Sequence, residues 1–141
     1  MKPRACALIL NECQQILLIH RIKDGREYWV FPGGGIEPGE TAEQAVVREV
    51  EEETSLMAES VSLAFEQFNA GRKESYFLVG TAPSKIELGN GPEKLKQSAS
   101  NAYTPQWVDI AKLGVINVQP ETAVNKLQKL LKQGALKVIN S

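Results

Sequence analysis

Three glutamates, Glu49, Glu52 and Glu53, stand three and four residues apart in a stretch free of Gly and Pro. On an α-helix they fall within about 100° of arc, on one face and one turn apart. Like charges at those spacings repel by a few tenths of a kcal/mol per pair, so an unsupported helix gains nothing by stacking them. A divalent cation reverses that sign. Hard carboxylate oxygens are what Mg²⁺ prefers, and Mg²⁺ commonly bridges one or two carboxylates to phosphate oxygens. Mn²⁺ is a reasonable substitute. The chemistry this points to is metal-assisted hydrolysis at phosphate, with a sharpened water as nucleophile.

The flanking residues fit the same scheme. Arg48 lies one residue before Glu49 and four before Glu52, and its planar fork can hold a carboxylate bidentately. Glu40, just ahead of the helix, is available to an arginine or to a metal-bound water. Gly33, Gly34 and Gly35 permit backbone conformations that other residues avoid, so a carbonyl of that loop can face a metal. Taken singly, an exposed glutamate pair or a glycine run would be an ordinary solvated helix face or loop. The glycines are not a P-loop, since no Gly-Lys-Ser or Gly-Lys-Thr follows.

These residues need elements to place them. Arg4 to Leu10 and Gln15 to His20 read as a hairpin across Asn11–Gln14. Arg21 to Glu27 reads as a charged loop, and Tyr28 to Phe31 as a short strand stopped by Pro32. Thr41 with Gln44 three residues on forms a capping box for a helix over Ala42 to Thr54. Val46, Val47 and Val50 give that helix an apolar side able to dock on a sheet. Val61 to Asn69, Lys73 to Thr81 and Tyr103 to Ile110 read as strands, with Ala70-Gly71-Arg72 a tight connection. Residues 83–100 read as a polar loop with a short strand at Ile86 to Leu88. Pro120 suits the first position of a C-terminal helix whose buried face carries Ala123, Val124, Leu127, Leu130 and Leu131. The expected class is α+β, an α/β/α arrangement with a mixed sheet between helices, in one domain over residues 1–141.

The composition limits the function classes. Sixteen basic and 17 acidic residues leave a net charge of −1, which gives no whole-molecule attraction for nucleic acid or membranes. The balance hides a local excess, for residues 37–53 hold seven carboxylates and one arginine, 1 − 7 = −6. Cys6 and Cys13 read as buried free thiols rather than a disulfide framework. No signal peptide or membrane-spanning run is read, and a cytoplasmic protein is expected.

In fixed order, Gly34, Glu40, Arg48-Glu49-Val50, Glu52-Glu53 and Leu56 resemble the Nudix box, G-x5-E-x7-R-E-U-x-E-E-x-G-U, with U a bulky aliphatic. Phe31-Pro32-Gly33-Gly34-Gly35 ahead of it is also similar to the family. Ser55 stands where the family has the glycine that ends the helix in a left-handed conformation. The resemblance implies an α/β/α sandwich and a hydrolase acting on the diphosphate linkage of a nucleoside diphosphate derivative. Within the family the short chain leans towards a MutT-like nucleoside triphosphate pyrophosphatase. A nucleotide or sugar-nucleotide sensor that binds without cutting is the alternative.

Residue by residue, Glu49, Glu52 and Glu53 would be metal ligands, with the Gly33 carbonyl and Glu93 as further candidates and Glu87 behind Glu93. Glu53, Glu49, Arg48 and Glu40 would form the catalytic set. Arg21 and Arg26 would meet substrate phosphates, beside the backbone of Gly34 and Gly35, and Asn117 or Gln119 would read a base edge. Tyr28, Phe68, Tyr76 and Tyr103 are stacking candidates. The implied partner is a small nucleotide, with neither nucleic-acid polymer nor membrane, and a homodimer is an open option.

Overall fold

The computed structural model describes residues 2–82 and 101–136. Glu87, Glu93 and the strand expected at Ile86 to Leu88 lie outside the described residues.

Continuous apolar runs, Ala5–Leu8 and Ile16–Ile19, carry β1 (Arg4–Leu8) and β2 (Gln15–Lys23). β2 runs three residues further than expected. The expected charged loop is instead a hairpin: β2 continues into β3 (Arg26–Val30) across Asp24 and Gly25, both at positive φ (50° and 80°). Asp-Gly is the pair that a two-residue turn with two positive φ values demands. The glycine run is also a strand, β4 (Gly33–Gly35), paired antiparallel with β1 at Arg4↔Gly35, Ala5↔Gly34 and Cys6↔Gly33.

Helix α1 (Ala42–Thr54) has the expected bounds and both hydrogen bonds of the Thr41/Gln44 capping box. β5 (Ala58–Asn69) and β6 (Arg72–Thr81) form a long antiparallel pair with register shifts between Ala58 and Ser60 and between Leu63 and Phe65. β7 (Asn101–Asp109) pairs with β2, and β8 (Val118–Gln119) with β3. Pro120 is the N-cap rather than the first residue of α2 (Glu121–Lys132).

The strands make two mixed four-stranded sheets among the described residues, in the orders β4-β1-β6-β5 and β7-β2-β3-β8. One mixed sheet was the expectation. Both sheets lie within an α+β sandwich. The odd-numbered residues Ala5, Ala7 and Ile9 pack with Ala45, Val46 and Val50 of α1, while Cys6, Leu8 and Leu10 share a second core with Ala123, Val124 and Leu127 of α2. Leu130 is only partly buried. This period-2 alternation is what places α1 and its glutamates on one face of β1 and leaves the other to α2.

Candidate active site

α1 presents Glu49 and Glu53 inwards, at 8% and 6% exposure, one turn apart. Both meet the glycine strand. The Gly33 N–H donates to Glu53 Oε1 at 2.7 Å. A Cβ on Gly34 would stand 2.6 Å from the Glu49 carboxylate carbon, so the carboxylate fills the space where a side chain would be. A Cβ on Gly33 would stand 2.4 Å from the Ala5 carbonyl oxygen of β1. The two glycines therefore serve close packing, with strand β4 pressed between β1 and the helix.

Arg48 ties the acidic groups together. Its Nε and Nη2 donate to Glu40 Oε2 and Oε1 at 2.8 and 2.9 Å, a bidentate pair. Nη1 donates to Glu49 Oε1 at 2.8 Å and reaches Glu52 Oε1 at 3.5 Å. Nη2 also donates to the Gly35 carbonyl at 3.1 Å. Hydrogen bonding from Arg48, aided by a backbone bond within the Glu37–Glu40 turn, holds the Glu40 carboxyl down to about 2. The Glu40 bonds in turn raise Arg48 above its ordinary value. Glu40 is thus engaged by the arginine, one of its two expected partners, and aims Arg48 at Glu49.

The donor set fits a hard divalent cation. Glu40, Glu49, Glu52 and Glu53 bring four carboxylates to a neighbourhood with one arginine among them, and every side-chain donor on the acidic face is an oxygen. Among the described residues no three acidic, histidine or cysteine side chains already converge as a metal cluster. Arg48 holds Glu49, and the Gly33 amide holds Glu53. At Gly33 it is the N–H that is set against Glu53.

Beside Glu53 a cavity of about 160 Å³ is lined by Gly33, Arg4, Arg21, Phe31 and Tyr103. Arg21 is brought to it by register, opposite Tyr28 on β3 and Tyr103 on β7. Its Nη2 donates to Tyr103 Oη at 2.6 Å and its guanidinium lies 4.0 Å from the Tyr103 ring centre. Tyr28 and Tyr103 thus hold an arginine. Tyr76 is fully buried and Phe68 is 74% exposed. Arg26 is exposed against Tyr28 and does not join this cavity. Gln119 and Asn117 are hydrogen-bonded to each other at 2.6 Å; Gln119 lines a second cavity of about 220 Å³, and the two together line a third.

Sequence reasoning missed Arg4 and Glu74, which both line the second cavity. The signal available for each was a charged residue at the head of an apolar strand.

The fold is an α/β/α sandwich in which an arginine clamp gathers carboxylates on one helix face against a glycine strand. The NUDIX domain model matches residues 1–133, and the chain belongs to that family. The chain is 39% identical over 90 residues to a Bacillus subtilis (strain 168) protein named "Putative 8-oxo-dGTP diphosphatase", covering 63% of this chain and 59% of that one. It is 44% identical over 62 residues to the RNA pyrophosphohydrolase of Serratia proteamaculans (strain 568), covering 44% of this chain and 34% of that one. The chain thus spans less than two thirds of the length of these relatives. A solved MutT structure, reported for Aliivibrio salmonicida and Vibrio cholerae, superposes with a TM-score of 0.73 at 24% identity over 94% of this chain and 98% of that one. The MutT NUDIX hydrolase of Burkholderia pseudomallei gives 0.66 at 22% identity over 90% and 96%. At these identities the two structures speak for the fold alone. Among the described residues no helix is long and apolar enough to cross a membrane.

Proposed function

We propose that this chain is a Mg²⁺-dependent hydrolase that cuts the diphosphate linkage of a nucleoside diphosphate derivative, in the manner of a MutT-like nucleoside triphosphate pyrophosphatase. The observation that carries the reading is the burial of Glu49 and Glu53 against the glycine strand, with Glu53 lining a cavity that Arg21 also lines. Family membership and the relatives' names support pyrophosphate-bond hydrolysis in general.

Glu49, Glu52 and Glu53 are the residues that would hold Mg²⁺, with the Gly33 carbonyl and Glu93 as further candidates. The ion when bound supplies charge neutralisation of the diphosphate and activation of water. Arg48 fixes the direction of Glu49 through a 2.8 Å bond and is itself fixed by Glu40, so both are positioning residues. Glu53 is our general base: its carboxylate lines the cavity and can take the proton of an attacking water. Arg21 faces the same space and offers a cation to the phosphates. The reading assigns one domain to residues 1–141 and a reducing cytoplasm, where Cys6, buried as expected, and Cys13, which is exposed rather than buried, stay free thiols.

The test is a panel of nucleoside triphosphates, dinucleoside polyphosphates and sugar-nucleotides incubated with Mg²⁺, with products separated by HPLC. Release of a nucleoside monophosphate, abolished by EDTA, is expected for at least one member. Binding without turnover across the panel would make the chain a sensor.

A further inference from the structure

The two cavities abut. Arg4, Val30 and Phe31 line both, so the space beside Glu53 neighbours the space beside Glu74. Arg4 and Glu74 are register partners on the parallel strands β1 and β6, and therefore stand side by side on one face. Glu74 is 3% exposed in a strand otherwise dominated by apolar and hydroxyl residues. Its Oε1 accepts from Gln67 Nε2 and Tyr76 Oη, both at 3.0 Å, and among the described residues its Oε2 accepts only a longer bond, 3.3 Å, from Asn69 Nδ2. A carboxylate has room for about four hydrogen bonds, so acceptor capacity is left on Oε2. The Arg4 Nε–H has no hydrogen-bond partner among the described residues, so part of its donor fork is uncommitted.

A carboxylate with spare acceptor capacity beside a guanidinium with one unpartnered N–H is complementary to a group that offers an acceptor next to a donor. Nucleobase edges have that pattern, through carbonyl beside N–H or ring nitrogen beside amine. A second phosphate, all acceptor and anionic, is disfavoured by Glu74. Phe31, Val30 and Pro120 supply apolar wall for a flat ring. Resting on the nucleotide reading above, we propose that Arg4 and Glu74 are the residues that determine specificity. They take the acceptor–donor edge of the base, while the diphosphate lies towards Glu53. Gln67 is a positioning residue for Glu74, and it accepts in turn from Lys126 Nζ of α2 at 2.9 Å.

The experiment compares binding of GMP, AMP, CMP and UMP with ribose 5-phosphate by calorimetry, in the wild type, Arg4→Met and Glu74→Gln. The wild type is expected to bind its best monophosphate at least about tenfold more tightly than the base-free phosphate, a difference of ordinary hydrogen-bond size. Each variant should bring that ratio to within about threefold. For the matching nucleotide each should also raise KM far more than it lowers kcat, the pattern of lost uniform binding. A wild-type ratio near one, or a ratio kept in the variants, overturns the proposal. Circular dichroism melts check folding, and Arg4→Met, at the first residue of β1, carries the test alone if Glu74→Gln fails to fold. Turnover of nucleotides with the preference unchanged in the variants sinks this inference only. A base preference that depends on Arg4 and Glu74 in a chain that turns nothing over sinks the hydrolase reading only.

Discussion

At the scale of residues, the site is a set of carboxylates whose freedom has been taken away by particular donors. Glu53→Gln can keep the bond from Gly33 N–H but removes the carboxylate that we propose as base and metal ligand. Its kcat is expected to fall by about 10²–10⁴ or more while the fold persists, read by steady-state assay beside a thermal melt. Near-normal turnover would remove Glu53 from the mechanism. Gly34→Ala drives a Cβ to within 2.6 Å of Glu49. We expect a loss of about 1–3 kcal/mol in urea unfolding, together with weakened Mn²⁺ binding by electron paramagnetic resonance. Glu40 makes a prediction about pH. Its carboxyl sits at about 2 under the Arg48 fork, against an ordinary glutamate value of about 4.3. A carboxyl lowered on folding adds stability above its unfolded value, and that contribution fades as pH falls from about 4.3 to about 2. Carbon-detected titration should place Glu40 near the lower figure, and Arg48→Ala should return it to the ordinary range. An ordinary midpoint in the wild type would deny the bidentate pair.

At the scale of elements, α1 was the most legible. Thr41, Gln44 and the valine stripe prescribe both its start and its buried side, and the observed bounds agree. Its end was legible too. Ser55 takes φ 65° and ψ 11°, the left-handed conformation that a glycine would adopt at less cost. Ser55→Gly should therefore raise stability by up to about 1 kcal/mol, seen as a higher Tm by calorimetry. A lower Tm would mean that the serine side chain contributes more than its backbone strain costs. Two elements were not legible from composition. Arg21 to Glu27 carries enough charge to look like a loop, but Asp24-Gly25 closes a tight turn and β7 pairs along the edge of the ribbon at Arg21, Ile22 and Lys23. Gly33–Gly35 has no side chains to alternate, so nothing in its pattern shows that it pairs with β1. Only the approach of the helix and β1 makes glycine necessary there. Arg4 and Glu74 escaped for a related reason: the parallel register that sets them side by side is a long-range fact.

At the scale of the whole molecule, the acidic helix face is an electrostatic imbalance that a cation should relieve. Saturating Mg²⁺ or Mn²⁺ is expected to raise Tm by several degrees through mass action, and EDTA should reverse it. An unchanged Tm with either metal would count against the cluster as a cation site. The outer strand of the first sheet has a separate consequence. β5 is twelve residues long, has only β6 beside it among the described residues, and exposes Leu63 and Phe68. Such a rim invites templated growth into fibrils or stacked aggregates. The two register shifts along β5 break the even spacing of its outward amides, so an incoming chain meets no uninterrupted ladder to copy. Colloidal solubility thus owes something to irregularity, and straightening β5 by deleting a bulge residue would make the molecule prone to precipitate without touching its chemistry.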